Sequence, residues 1–362
     1  MTKQNLYIDL NVIQTVPSSN INRDDTGAPK TAVYGGVTRS RVSSQSWKRA
    51  VRKGFENDGI KNGSRTTDAV QLLSQKLRDL DSSLDEEAAT EKAVEVFKTV
   101  KIGLDKDNNT KALLFVSPGQ IEKIAQYVLD NEELDSKELK KAFNADHSLD
   151  LALFGRMVAD SPELNVEGSA QVAHAISTHE IVPEFDYYTA VDDEQPDDQT
   201  GSSMIGTIEF NSATLYRYAN LNVNELIHNL GDQDAIKGAV AFIKEFILTM
   251  PTGKQNTFAN KTLPNYVMVT IRQDTPVNLA SAFENPVKAG EGYTSTSIKR
   301  LNKGYEAAEK FVEAPVFNIV LSANDEDLDD QKLGEQATSF TDLLNQVSDA
   351  LTKAVQDENT ND

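Results

Sequence analysis

Apolar and polar residues alternate from Gln4 to Ile13, placing Leu6, Ile8 and Leu10 on one face, so this segment reads as a half-buried strand. A polar loop follows, with Pro17, Asn20, Gly27 and Pro29 and then Gly35-Gly36, before a helix predicted over Ser43–Phe55. At about 100° per residue, Trp47, Ala50, Val51 and Phe55 fall on one side of that helix and Lys48, Arg49, Arg52 and Lys53 on the other. Helical periodicity then dominates, over Asp68–Leu80, Leu84–Lys101, Pro118–Leu129 and Leu134–Phe143. Ser117-Pro118-Gly119-Gln120 has the residues of a capped helix start. From Leu149 the pattern reads as strands, Leu149–Met157 and Gln171–His179, and Met204–Leu221 reads as a strand pair. Asp192–Ser203 has no apolar residue and is expected to project as a loop. A helix over Asp232–Leu248, strands at Tyr266–Ile271 and Phe317–Val320, and a helix over Phe340–Val355 complete the reading.

The order is strand, helix, helical insertion, strand, strand, helix, strand. It is the order of an α+β, ferredoxin-like or RNA-recognition-type (RRM-like) domain, a frame that hosts many activities. The expected segments are 1–58, the helical insertion 59–148, strands over 149–203, a second part of the main domain over 204–320, and a C-terminal segment 321–362.

Charge changes the picture more than composition does. The chain of 362 residues carries a net charge of -20, yet residues 1–55 hold nine Lys or Arg against three acids, a net of +6, so the rest sums to -26. Cations kept together in an acidic chain mark a place for a polyanion, because phosphate affinity follows local charge. Residues 322–362 lie at the other extreme, with eleven acids and two Lys, a net of -9. The chain has no Cys, which excludes disulfides, thiolate nucleophiles and Cys-based zinc sites. His174 and His179 are five residues apart, on opposite faces of a strand, so no shared metal is expected, and no cofactor either. No apolar run approaches membrane-spanning length and the start lacks the layout of a secretion signal, so a cytoplasmic location is expected.

The cations fall into a plausible track. Ser43, Ser44 and Gln45 stand at a helix start, where free amides suit phosphate; Gly35 and Gly36 permit close backbone approach; Arg39 and Arg41 alternate on an extended segment. No strand carries the aromatic signature of an RNA-recognition domain, and Tyr216 with Tyr218 reads as packing. Backbone-dominated binding, tolerant of sequence, is the expectation.

Asn22–Asp25 (NRDD), Tyr34–Lys53 (YGGVTRSRVSSQSWKRAVRK), Phe154–Met157 (FGRM), Ala173–His179 (AHAISTH) and Phe185–Asp193 (FDYYTAVDD) closely resemble the CasC family, the backbone subunits of the type I-E CRISPR surveillance complex Cascade. The resemblance runs from the first strand to about residue 320. It implies a non-enzymatic subunit that polymerises along a CRISPR guide RNA as a helical filament, presenting the guide to invading DNA beside other Cascade subunits in antiviral defence. It implies a hand: an RRM-like palm, a helical finger insertion and a thumb hairpin. Carried over by position, Arg23, Lys30, Ser43, Gln45, Lys48, Arg49 and Arg52 match palm residues that hold the guide backbone. Met157 matches the apolar wedge at a guide kink, and Tyr188 with Thr189 the thumb tip. Lys137, Lys140 and Lys141 share one helix face and match a finger helix that guides target DNA.

Two other readings compete. Asp24 and Asp25 are adjacent carboxylates beside the track; paired carboxylates holding a divalent metal activate water in many nucleases, and backbone subunits of type III CRISPR complexes use an aspartate in a comparable loop to cut target RNA. A general coat for single-stranded RNA shares the electrostatics without partner subunits.

Overall fold

The computed structural model of the chain describes residues 5–189, 205–324 and 333–360. The first elements are β1 (Tyr7–Ser19), β2 (Thr31–Tyr34), β3 (Val37–Val42) and α1 (Ser44–Asn57). A helix-rich stretch follows: β4 (Ser64–Thr66), α2 (Ala69–Leu80), α3 (Glu86–Thr99), β5 (Leu114–Val116), α4 (Pro118–Asp130), α5 (Ser136–Phe143) and α6 (Leu149–Phe154). Then come β6 (Ala170–Val172), β7 (Ala175–Ser177), β8 (Glu184–Thr189), β9 (Ile205–Asn222), α7 (Val223–Leu230), α8 (Asp232–Leu248) and α9 (Gln255–Phe258). The chain closes with β10 (Tyr266–Arg272), α10 (Thr294–Ala308), β11 (Phe317–Ser322), β12 (Glu335–Gln336) and α11 (Phe340–Thr360). No helix among the described residues is long and apolar enough to cross a membrane.

The chain divides into two compact units, one of residues 1–51, 172–220 and 242–362, the other of 52–171 and 221–241. In the first, a mixed sheet runs β12-β11-β10-β1-β9-β7-β3-β2. Its middle is antiparallel, β10 to β1 and β7 to β9, while the short edge strand β12 joins β11 in parallel.

β1 is buried on both faces, not one as its alternation suggested. Leu6, Ile8, Leu10 and Val12 are fully buried, and so are the polar residues between them, Asp9 and Asn11. The second face is covered because α10, through Ile298, Leu301 and Tyr305, packs with Tyr216, Tyr218, Met268 and Phe283. Buried polar groups need partners. The Tyr218 hydroxyl donates to Asp9 at 2.7 Å and the Tyr216 hydroxyl to Asn11 at 2.7 Å. Trp47 lies in a separate cluster with Val16, Val42, Leu215 and Met250, so the apolar side of α1 docks as its wheel requires.

Three readings are corrected by packing. Leu149–Phe154 is a helix, with Ser148 at its start, because a short apolar run broken only by Asp150 is too brief for its period to separate helix from strand. Ile205–Asn222 is one long strand, since after Gly206, near its start, no Gly or Pro interrupts it to turn the chain. Residues 31–42, where only an extended segment at Arg39–Arg41 was expected and no strand pair, form the β2–β3 hairpin, whose two-residue turn is Gly35-Gly36, both with positive φ. The expected loop at Asp192–Ser203 lies outside the described residues.

The second unit is built on α2, α3, α4 and α5 around Leu73, Leu77, Phe97, Ile124, Leu139 and Phe143. Arg156 is its polar hub. The buried guanidinium donates to the carbonyls of Phe115, Phe143 and Leu164 and to the side chains of Gln120 and Asn144. Burial lowers its pKa to about 10.

Asp9 gives the first unit a pH dependence. Burial raises its pKa from 3.8 to about 6, against the opposing pull of the Tyr218 hydroxyl, the Val277 amide and Arg272. Between these values the folded chain holds a proton that the unfolded chain has lost, so this contribution to stability is full below about pH 4 and is lost as pH rises through 6. Wild type should therefore lose up to about 3 kcal/mol relative to Asp9→Asn between pH 4 and 7. Urea unfolding of the two proteins across that range checks it, and a difference flat in pH would refute it.

Candidate nucleic-acid interface

The turn Asn22–Lys30 organises the basic region. Its ends are joined by the Lys30 amide donating to the Asn22 carbonyl at 2.8 Å, with an Arg23–Pro29 bridge inside. The side chain of Asn22 accepts from the Ser43 amide at 2.8 Å, fixing the turn to the start of α1. The Arg41 amide donates to the Lys30 carbonyl at 2.9 Å, fixing it to β3. One asparagine thus brings Arg23, Lys30, Arg41 and the first turn of α1 together.

Several expected residues are presented to solvent there. Arg23, Gln45 and Arg49 are exposed, and Lys30, Arg41 and Lys48 are half-buried. Gln45, Lys48 and Arg49 share one side of α1 by their spacing of three and four. Arg41 donates through Nε to the Thr31 carbonyl at 2.8 Å, and its Nη1 lies 3.1 Å from Nδ1 of His174. Partial burial, then the charges of Arg41 and Lys30, lower the His174 pKa.

Other expected residues are placed differently. Ser43 is buried, its carbonyl accepting from Ser46 and Trp47 as the helix begins. Arg39 is fully buried and donates to the carbonyls of Tyr34, Ser177, Phe283 and Glu284. A wheel or an alternation gives a direction, but not a partner more than a hundred residues away. The close approach allowed by Gly35 is likewise taken by this chain, since a Cβ there would lie 1.6 Å from the Glu284 carbonyl oxygen. In the second unit, Arg52 forms a 2.7 Å ion pair with Asp150 and donates to the Gly63 carbonyl at 2.8 Å.

Met157 is 83% exposed. The residues on either side are pinned inward, Arg156 by paired backbone bonds to Val166 at 2.9 Å and Val158 by the Asn165 side chain at 2.6 Å. The thioether is left in solvent, an unusual place for a side chain that gains by burial. In the first unit β8 pairs with β9 from Glu184↔Phe210 to Thr189↔Ile205 as a hairpin exposed along all of β8. The ring of Tyr188 crosses Gly206, where a Cβ would lie 2.4 Å from the Tyr188 hydroxyl. Phe185 and Tyr187, not singled out in the sequence, are the more exposed aromatics and lie on the other face by alternation. Tyr188 is selected by the family resemblance alone, whereas the signal for these two is their alternation about Asp186.

Lys137, Lys140 and Lys141 do share α5, but Lys140 pairs with Glu163, and Lys141 pairs with Glu138 at 2.7 Å. Lys137 is exposed. His179 is a packing residue: it is buried, stacks on Tyr293 at 3.7 Å and accepts from the Thr214 amide at 3.1 Å. Asp24 closes its own turn, its Oδ1 accepting from the Thr26 amide and hydroxyl and the Ala28 amide, which lowers its pKa. Among the described residues no three His, Asp or Glu cluster as metal ligands.

The family described as CT1975-like protein (Cas_CT1975) matches residues 8–346. No curated protein matches the chain. Among solved structures, a chain of a CRISPR RNA-guided surveillance complex, pre-nicking, is similar, with 32% identity over 95% of this chain and 100% of that one and a TM-score of 0.80. A second chain, from a CRISPR RNA-guided surveillance complex, is 29% identical over 95% of this chain and 99% of its own, with a TM-score of 0.73.

Proposed function

The chain belongs to the CT1975-like family of Cas proteins, and from that premise we propose that it is the guide-RNA-binding backbone subunit of a type I-E Cascade complex. Copies of it polymerise along the guide as a filament and present the bases to invading DNA, beside other Cascade subunits. The observation that carries this reading is the gathering of Arg23, Lys30, Arg41 and the start of α1, with its Lys48 and Arg49, around Asn22 in a chain of net charge -20. A polyanion is attracted to that place and repelled from most others.

The sheet supports the RRM-like palm. Taking β1, β7, β9 and β10 as its four strands, the chain order is βαββαβ and the spatial order is last, first, third, second. Unlike an RNA-recognition domain that stacks bases on its strands, this one keeps Tyr216 and Tyr218 under α10. The backbone is then what the protein grips, and the bases stay free to pair. Met157 and the β8–β9 hairpin supply exposed apolar groups suited to interrupting base stacking at intervals. The Lys137–Lys141 face supports a weaker duplex-guiding role, since two of its ammonium groups must exchange a carboxylate for a phosphate. Such exposed pairs are easily exchanged.

The reading is of a binding subunit rather than a nuclease, and the Asp24 carboxylate, turned onto its own loop, supports that choice. Expression with a CRISPR array and candidate partner subunits, followed by purification and sequencing of the bound nucleic acid, tests it. Guide RNA should be recovered with the complex. Random cellular RNA would overturn guide specificity, and metal-dependent shortening of target RNA abolished by Asp24→Ala would favour a nuclease.

A further inference from the structure

Acidic residues are common in this chain, 56 of 362, but two long stretches have none: Thr26 to Phe55, and Phe246 to Gln273. The next longest, Phe210 to Asn224, is about half as long. The first stretch carries the basic turn, β2, β3 and α1. Part of the second is β10, whose full burial disfavours an unpaired acid, but the loop before it, Thr252–Lys261, is largely exposed and carries Lys254 and Lys261.

The fold brings this loop to the basic turn. Gly253 lies so close to the residues preceding Asn22 that a Cβ there would stand 2.4 Å from the Ile21 carbonyl oxygen and 2.8 Å from that of Asn20. Asn20 in turn donates to the Gly27 carbonyl at 2.9 Å, within the turn itself. The loop is held in an expensive conformation, with Lys254 and Ala259 both left-handed at φ 51° and 46°. Asn260, 2% exposed, has an amide nitrogen with no partner. The single aromatic of the loop, Phe258, packs against Phe210 at 5.5 Å and is not free to stack on a base.

We propose that Thr252–Lys261 is a second phosphate-binding element, holding the backbone of the same single-stranded RNA beside the Asn22–Lys30 turn. The inference rests on the RNA-binding reading above and extends it to residues outside the first 55. Two cations, a set of small polar groups and a spent aromatic suit phosphate and ribose rather than bases.

Fluorescence anisotropy of the full chain with a guide-length single-stranded RNA, titrated at several salt concentrations, tests it. Lys254→Gln with Lys261→Gln should weaken binding about tenfold near physiological salt and reduce the slope of log affinity against log salt by about 1.4. Gly253→Ala, which keeps both cations but forces the loop off Asn20 and Ile21, should also weaken binding. The lysine variant should melt as wild type does, so it remains decisive if Gly253→Ala folds poorly. Wild-type affinity and slope in the lysine variant, or a loss for duplex DNA alone, would overturn the proposal and leave the RNA-binding reading standing. If wild type itself does not bind the RNA, both fall together.

Discussion

Arg23→Glu with Arg49→Glu will abolish RNA retention while the chain melts as wild type does. Both side chains are exposed, one on the basic turn and one on α1, so neither reversal disturbs a buried group. Losing two phosphate contacts lowers the salt slope by about 1.4 for a single strand, and two added repulsions act in the same direction. Affinity near physiological salt should fall on the order of 100-fold. Anisotropy titrations with a guide-length RNA, beside thermal melts, measure both quantities. Undiminished affinity with an intact fold would remove these residues from the interface.

Arg52→Ala will have the contrary signature. Asp150 is fully buried and accepts from Arg52 at 2.7 Å, from the Gly63 amide at 2.9 Å and from the Ser148 hydroxyl at 2.7 Å. Removing the guanidinium leaves a buried carboxylate short of its countercharge. Because Arg52 keeps 28% of its side chain in solvent, the low end of the range for such losses applies, about 3 kcal/mol. Urea unfolding should show that loss, and Asp150→Asn should recover part of it in the double variant, since the amide needs no countercharge. RNA affinity of the folded fraction should stay near wild type. A variant as stable as wild type but weak for RNA would show that Arg52 is a phosphate ligand instead.

The contrast between Arg49 and Arg52 shows where reading the sequence stopped. The wheel of α1 placed Trp47, Val51 and Phe55 inside correctly, because a helix has one period and one buried side. It could not separate the two arginines, because what distinguishes them is Asp150, almost a hundred residues along the chain. Arg39 is turned inward by partners equally remote in sequence, its acceptors being carbonyls at Ser177, Phe283 and Glu284. Met157 goes the other way: an apolar context argues for burial, and only the inward pinning of its neighbours shows why it is exposed. The covered face of β1 was hidden because Asp9 and Asn11 look like solvent-facing positions. The helix that covers them, α10, was overlooked although Ile298, Leu301 and Tyr305 recur at helical spacing. The loop Thr252–Lys261 has no motif at all, and its trace in the sequence is a lack of acids.

The placement of α10 over Tyr216 and Tyr218 has a further consequence under the proposed function. A strand face sealed by a helix has no pocket in which one base is favoured over another, so this face gives the protein no means of ranking the guides it receives. The repertoire of recognised invaders can then be rewritten entirely in nucleic acid, with every new memory carried by an unchanged protein.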